Sequence, residues 1–144
     1  MDFVARLTAI RRDHPVLRQR RFLHAKPRPQ DGLPDVIWRR PDGQVPRPED
    51  WHDPAFRCLG VELRACAEGG DPDPTALYAV FNAGAETVLR LPDTAPAWVL
   101  ILDTTRPDLT SDRAGPGTRA PSGAVLLFRS APLGAGDLPK GETA

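Results

Sequence analysis

Lysine is almost missing from this sequence: Lys26 and Lys140 are the only two, and the rest of the 19 basic residues are arginine. Nineteen acids balance them, so the formal net charge is zero and no global field draws on nucleic acid or anionic lipid. Cysteine is nearly as scarce. Cys58 and Cys66 lie within one apparent strand, RCLGVELRAC. Extended chain would hold them about 26 Å apart, against a Cα separation below ~7 Å for a disulfide. Two reduced thiols in a cytosolic protein are the reading, and the pair is too few for a metal site, so no cofactor or metal is expected. No apolar run reaches membrane-span length and no leader pattern opens the chain. Glycine-rich phosphate loops are missing too, since GAGDLPKGE at 134–142 lacks strand–helix context and Walker spacing. No serine stands in a nucleophile-elbow context, and His14, His24 and His52 have no such partner. Finally, 144 residues cannot hold a complete (β/α)8 barrel, which takes roughly 250.

What is abundant is proline, at 17, with 12 glycines. Many turns and few long helices follow, which favours a β body. Phe3, Val4, Leu7 and Ile10 recur at helical spacing and predict an amphipathic helix over 2–12. Asp13 is placed to cap a second short turn begun by Pro15, with Val16 and Leu17 buried. KPRPQDGLP (26–34) reads as a connector. VIWR and QV flanking Pro41-Asp42-Gly43 predict a small hairpin over 36–46. Pro48, Glu49 and Asp50 predict one helical turn. Strands are expected at 57–65, 76–82, 86–91, 97–103 and 124–129, with loops at 67–75 and 104–123. The chain thus divides into a helical segment (1–25), a connector with a hairpin (26–56), an antiparallel β-sandwich (57–130) and a frayed tail (131–144).

DVIWRRPDGQVPRPEDWHDP (35–54) gathers five carboxylates, two tryptophans and a histidine. Glycoside hydrolysis needs two carboxylates about 5–9.5 Å apart across a cleft. Here each acid has a local task instead: Asp42 and Gly43 make the turn, Asp50 and Glu49 suit a helix start, and Asp35 terminates the connector. Trp38 and Trp51 read as anchors of this segment or, alternatively, as a platform for glucose rings. The basic stretch 11–28 is interleaved with Val16, Leu17, Phe22 and Leu23, which argues against nucleic acid and for a packed helix bordered by arginine.

The order LTAIRRDHPVLRQRRFLHA, DVIWRRPDGQVPRPEDWHDP, RCLGVEL, LYAVFNAGAETVLRLP and WVLILDTT resembles the C-terminal end of bacterial glycogen debranching enzymes. These are the GlgX/isoamylase-type members of the α-amylase clan. The resemblance covers residues 3–129. It implies that the opening segment is the last helix of a catalytic (β/α)8 barrel, and that the rest is the β-sandwich packed on it. The activity implied is hydrolysis of α-1,6 branch linkages of glycogen. The family's catalytic acids lie on barrel strands with no counterpart in this chain, so no catalytic residue is carried over. The expected partners are such a barrel, in cis or as a separate chain, and branched α-glucan; membrane and nucleic acid are not expected. An opening helix without its barrel would pair two copies through Phe3, Leu7 and Ile10. One departure stands at Arg47, where the family often has a capping threonine.

Overall fold

The computed structural model describes residues 2–19, 25–28, 32–64 and 75–132. Helix α1 spans Phe3–Asp13, and its first turn is capped by the Asp2 carboxylate, which accepts from the Val4 amide. A 3₁₀ turn follows over Pro15–Arg18. His14, not Asp13, holds its cap position, and it does so without a side-chain hydrogen bond. His14 is committed elsewhere, with Nδ1 2.8 Å from the Ile10 carbonyl. Eight strands complete the fold: β1 Val36–Arg39, β2 Cys58–Leu63, β3 Leu77–Asn82, β4 Thr87–Val88, β5 Ala97–Asp103, β6 Asp112–Ala114, β7 Arg119–Ala120 and β8 Val125–Ala131. A second 3₁₀ turn, Pro48–His52, lies between β1 and β2.

The architecture is a mainly β, antiparallel sandwich with one helix near the N-terminus. Six strands form the main sheet in the order β1-β2-β3-β8-β5-β6, and β4 pairs with β7 in a small second sheet. Alternation along the strands sends side chains to two faces, and each face carries a core. Tyr78, Val80, Leu126, Phe128, Trp98 and Leu100 point to the small sheet and pack with Leu89 and Ala120. Leu77, Leu127, Ile101 and Leu102 point the other way, where Val16, Phe3 and Ile10 cover them. A bulge between Leu100 and Leu102 breaks the period of β5, which lets Ile101 and Leu102 join the same core.

The expected hairpin over 36–46 is corrected by this topology. The turn exists, closed by bonds from the Arg40 amide to the Gln44 carbonyl and from the Gly43 amide to the Arg40 carbonyl. Gln44 and Val45 then form no strand, because β1 finds its partner in β2, with Trp38 opposite Val61. The strand expected at 86–91 shrinks to Thr87–Val88. Leu89 still donates to the Thr118 carbonyl, but Arg90 donates to Pro41, so the chain leaves the small sheet for the turn. The expected loop 104–123 contains β6 and β7, which the hydrophilic run Asp112-Arg113-Ala114 gave no periodic reason to expect.

Asn82 links the two sheets from the end of β3. Its amide group lies 2.9 Å from the Ala85 carbonyl and 3.1 Å from that of Ala120, and its oxygen accepts from the Gly84 amide at 3.0 Å. Burial pushes the Cys58 thiol up, so this free cysteine stays protonated inside the core. Cys66 lies outside the described residues.

Gly60 sets the thickness of the core beside β3. A Cβ there would overlap the Tyr78 hydroxyl and stand 2.6 Å from its ring. Tyr78 cannot yield, being 1% exposed and wedged against Trp98 and Phe128. Gly60→Ala is therefore expected to destabilise the fold by about 1–3 kcal/mol through overpacking, measured as a lower urea midpoint.

Candidate functional site

The acids of 35–54 are held one by one. Asp35 is buried and accepts from the Ala25 amide at 2.8 Å, where Ala25 is fixed at φ 57°. Asp42 is exposed and accepts from the Gln44 amide at 3.0 Å across the turn. Gly43 adopts φ 83°, and a Cβ there would come within 3.1 Å of the Arg90 carbonyl, so the position needs glycine on two counts. Asp50 reaches back to the Arg47 amide at 2.7 Å, and Arg40 and Arg47 approach the same oxygen at 3.4 and 3.7 Å. That bond starts the Pro48–His52 turn without a hydroxyl at Arg47. Asp53 accepts from the Ala55 amide. His52 is exposed, and His24 lies outside the described residues.

Trp38 projects from β1 onto the face of the main sheet that carries α1. It meets Trp51 at 6.0 Å between centroids with an interplanar angle of 88°, and Trp51 meets Phe56 at 6.2 Å and 88°. Edge-to-face pairs of this kind contribute about 0.5–1.5 kcal/mol each beyond area burial. They anchor the 3₁₀ turn to the sheet edge. Trp38 remains 44% exposed and Trp51 50%. Two strands away Phe81, 48% exposed, projects onto the same face beside Leu59. The rings form a corner, not two coplanar surfaces.

On α1, Phe3 and Ile10 pack against the sheet, whereas Leu7 and Val4 are 37% and 64% exposed. Arg6 fixes the helix to β5, donating to the Ile101 carbonyl at 2.7 Å and the Thr110 carbonyl at 3.0 Å. Arg18 turns back to cap the helix, donating to the Arg11 and Arg12 carbonyls. Within the basic stretch 11–28, Arg18 is thus spent on backbone, and Arg12 pairs with Asp13. Residues 20–24 lie outside the described residues. Among the described residues no group of three or more His, Cys, Asp or Glu is placed to hold a metal, and no helix is long and apolar enough to cross a membrane.

Sequence reasoning missed the main buried ionic cluster. Glu62 on β2 is fully buried. Its carboxylate accepts from Arg39 Nε and from Thr94 Oγ1 (2.8 Å), and Arg64 Nη1 stands 2.7 Å away. Tyr78 lies directly opposite on β3, and burial, reinforced by the charge of Glu62, pushes its hydroxyl up beyond any physiological titration. A signal was present in CLGVEL, because Glu62 shares the inward period of Cys58 and Gly60. A second acid is engaged at the far end of β5. Burial pushes Asp103 up, but hydrogen bonds from Thr105 Oγ1 and its amide (2.6 and 2.8 Å) and from Arg106 more than offset this. The carboxyl is left below the usual range.

No family model matches this chain. It is similar to the "Glycogen operon protein GlgX homolog" of Mycobacterium bovis and of Mycobacterium tuberculosis, 31% identical to each over 117 residues. The match takes in 74% of this chain and 16% of each relative, so the chain corresponds to a small part of the length of the curated relatives it matches.

Glu62→Gln would leave two guanidinium groups facing a neutral amide inside the protein. Removing one member of a buried pair costs about 3–5 kcal/mol, so a large fall in melting temperature is expected at neutral pH. Asp103 gives a pH signature. Its folded-state pKa is depressed, so its contribution is complete above the unfolded value of about 3.9 and is lost as pH falls below that. An Asp103→Asn variant should be less stable at pH 7, with the difference from wild type narrowing as acid titrates the native carboxylate.

Proposed function

On the premise that this chain is a GlgX-like region, we propose that it is a non-catalytic accessory domain of a glycogen debranching enzyme. The hydrolysis of α-1,6 branch linkages belongs to a (β/α)8 barrel, present in cis or as a separate chain, which this domain stabilises. The observation that carries the reading is the shape of the similarity: most of this chain matches, and what it matches is 16% of a much longer protein. The engaged acids support it. Asp35, Asp50, Glu62 and Asp103, the buried carboxylates among the described residues, accept hydrogen bonds that hold backbone or arginine in place. A catalytic pair needs carboxylates facing a cleft.

The surface for the barrel is the open half of the helix-bearing face. Trp38, Trp51 and Phe81 are each about half exposed there, and Leu7 and Val4 are exposed on α1. Large exposed apolar side chains gathered on one face suit a protein contact. The relatives hold most of their length outside the matched part, which supplies the occupant. The alternative, Trp38 and Trp51 as a glucan platform, is weakened by their right-angled rings, which do not present two coplanar surfaces to successive sugars. A reduced, buried Cys58 fits a cytoplasmic setting.

Purified chain incubated with limit dextrin is expected to release no reducing sugar above a heat-killed control; clear release would overturn the non-catalytic assignment. Added to a debranching barrel expressed without its own C-terminal region, the chain is expected to raise that barrel's melting temperature. Phe81→Asp should abolish the effect while leaving the chain folded. A barrel indifferent to the wild-type chain would count against docking.

A further inference from the structure

We propose that a pocket at one end of the main sheet, on the face turned away from α1, binds a phosphate group. The register of the strands creates it. Glu62, Tyr78, Phe128 and Leu100 stand side by side across β2, β3, β8 and β5. One period further on, the same face carries Arg64, Ala76, Ser130 and Trp98. Where Tyr78 fills the first row, Ala76 fills little of the second, and a cavity of about 280 Å³ opens over it. Residues 94–96 and, from the connector, Arg28 and Leu33 complete the walls. Pro96 and Pro132 also line it and are exposed, so the pocket reaches solvent.

The charge beneath this pocket is unbalanced. The Arg64 side chain is 4% exposed and that of Arg39 14%, and both turn to the single carboxylate of Glu62. One negative charge cannot neutralise two guanidinium groups, so the cluster keeps a positive charge in excess inside the protein, where an anion is its natural complement. Arg64 is also poorly spent. Its Nη1 stands 2.7 Å from Glu62 Oε2, but the contact lacks hydrogen-bond geometry and Nη1 has no other acceptor. Nε and Nη2 of Arg64 have no acceptor among the described residues either. Ser130 Oγ accepts from the Ala76 amide at 2.8 Å and keeps its own hydrogen to give. Thr94, by contrast, has given its hydrogen to Glu62. No Asp or Glu is among the described residues that line the pocket.

These donors select the ligand class. A guanidinium fork grips two oxygens of an oxyanion at once, and the Ser130 hydroxyl offers a third bond from another strand. A phosphate group presents three such oxygens, whereas a carboxylate has two. The volume lies just below the range of drug-sized sites, which leaves room for a small group esterified to the phosphate. Main-chain bonds hold the connector wall in shape, the Arg28 amide donating to Leu33 and its carbonyl accepting from Gly32. A bound phosphate would tie the ends of β2 and β8 together and so stabilise the domain by mass action. The pocket and the aromatic patch lie on opposite faces of the sheet, so a barrel docked on the patch leaves the pocket open.

Isothermal titration of the 144-residue chain with methyl phosphate and with inorganic phosphate, beside thermal melts, tests this. Saturable one-site binding is expected, with the melting temperature raised by about 3–5 °C at ten times Kd. Arg64→Lys keeps a charge for Glu62 but loses the fork, and is expected to bind about tenfold more weakly or worse. Ala76→Val puts two methyl groups into the pocket without touching a charge, and should abolish binding in a chain that still melts cooperatively. Arg119→Ala removes an exposed charge elsewhere and should bind like wild type. Tighter binding of methyl phosphate than of inorganic phosphate assigns the pocket to a phosphate monoester, and equal binding assigns it to the free ion. No saturable binding by wild type, or undiminished binding by Ala76→Val or Arg64→Lys, would each overturn the site. Acetate or succinate binding as tightly as phosphate would overturn the choice of phosphate. The accessory-domain reading is judged separately, by reducing-sugar release and barrel stabilisation, and stands or falls without these titrations.

Discussion

Glu62 is the point on which the edge of the main sheet is hung. An isolated carboxylate in a protein interior is strongly disfavoured, and this one is tolerated because Arg39, Arg64 and Thr94 surround it. Those partners come from β1, from the end of β2 and from the segment before β5, so one charge gathers three parts of the chain. Replacing such a cluster by apolar side chains often costs nothing; its use here is register. A slip of β1 by one residue would move every side chain to the opposite face. With Arg39 drawn to Glu62, that slip is opposed. Trp38 therefore stays on the helix-bearing face and Arg39 stays on the other.

The second constraint is that the sheet is apolar on both faces. The centres of β3 and β8 bury side chains on both faces, Leu77 and Leu127 toward α1 and Tyr78, Val80, Leu126 and Phe128 toward the small sheet. That explains which elements were legible in the sequence. LYAVFN, AWVLILD and AVLLFR are short apolar runs bounded by turn residues, and they lie where they were expected. Helix α1 was legible from its spacing, while its cap at Asp2 was not foreseen. Strands β6 and β7 were not, because Asp112, Arg113 and Arg119 face solvent and leave no pattern. The failed half of the hairpin has a different cause. Turn chemistry at Asp42-Gly43 was read correctly, but a turn does not choose a strand's partner. β1 gained far more by joining β2 than by pairing with a two-residue run that ends at Pro46.

The same division holds for the candidate sites. The turn acids could be read locally because their bonds are local: Asp42 serves an amide two residues on, and Asp50 one three residues back. The Glu62 cluster could not, since Arg39 and Thr94 are distant from Glu62 in sequence. Asn82 is an intermediate case. It falls within the motif LYAVFNAGAETVLRLP, but the reason, a side chain that bonds the Ala85 carbonyl and that of Ala120 in the second sheet, is visible only in three dimensions.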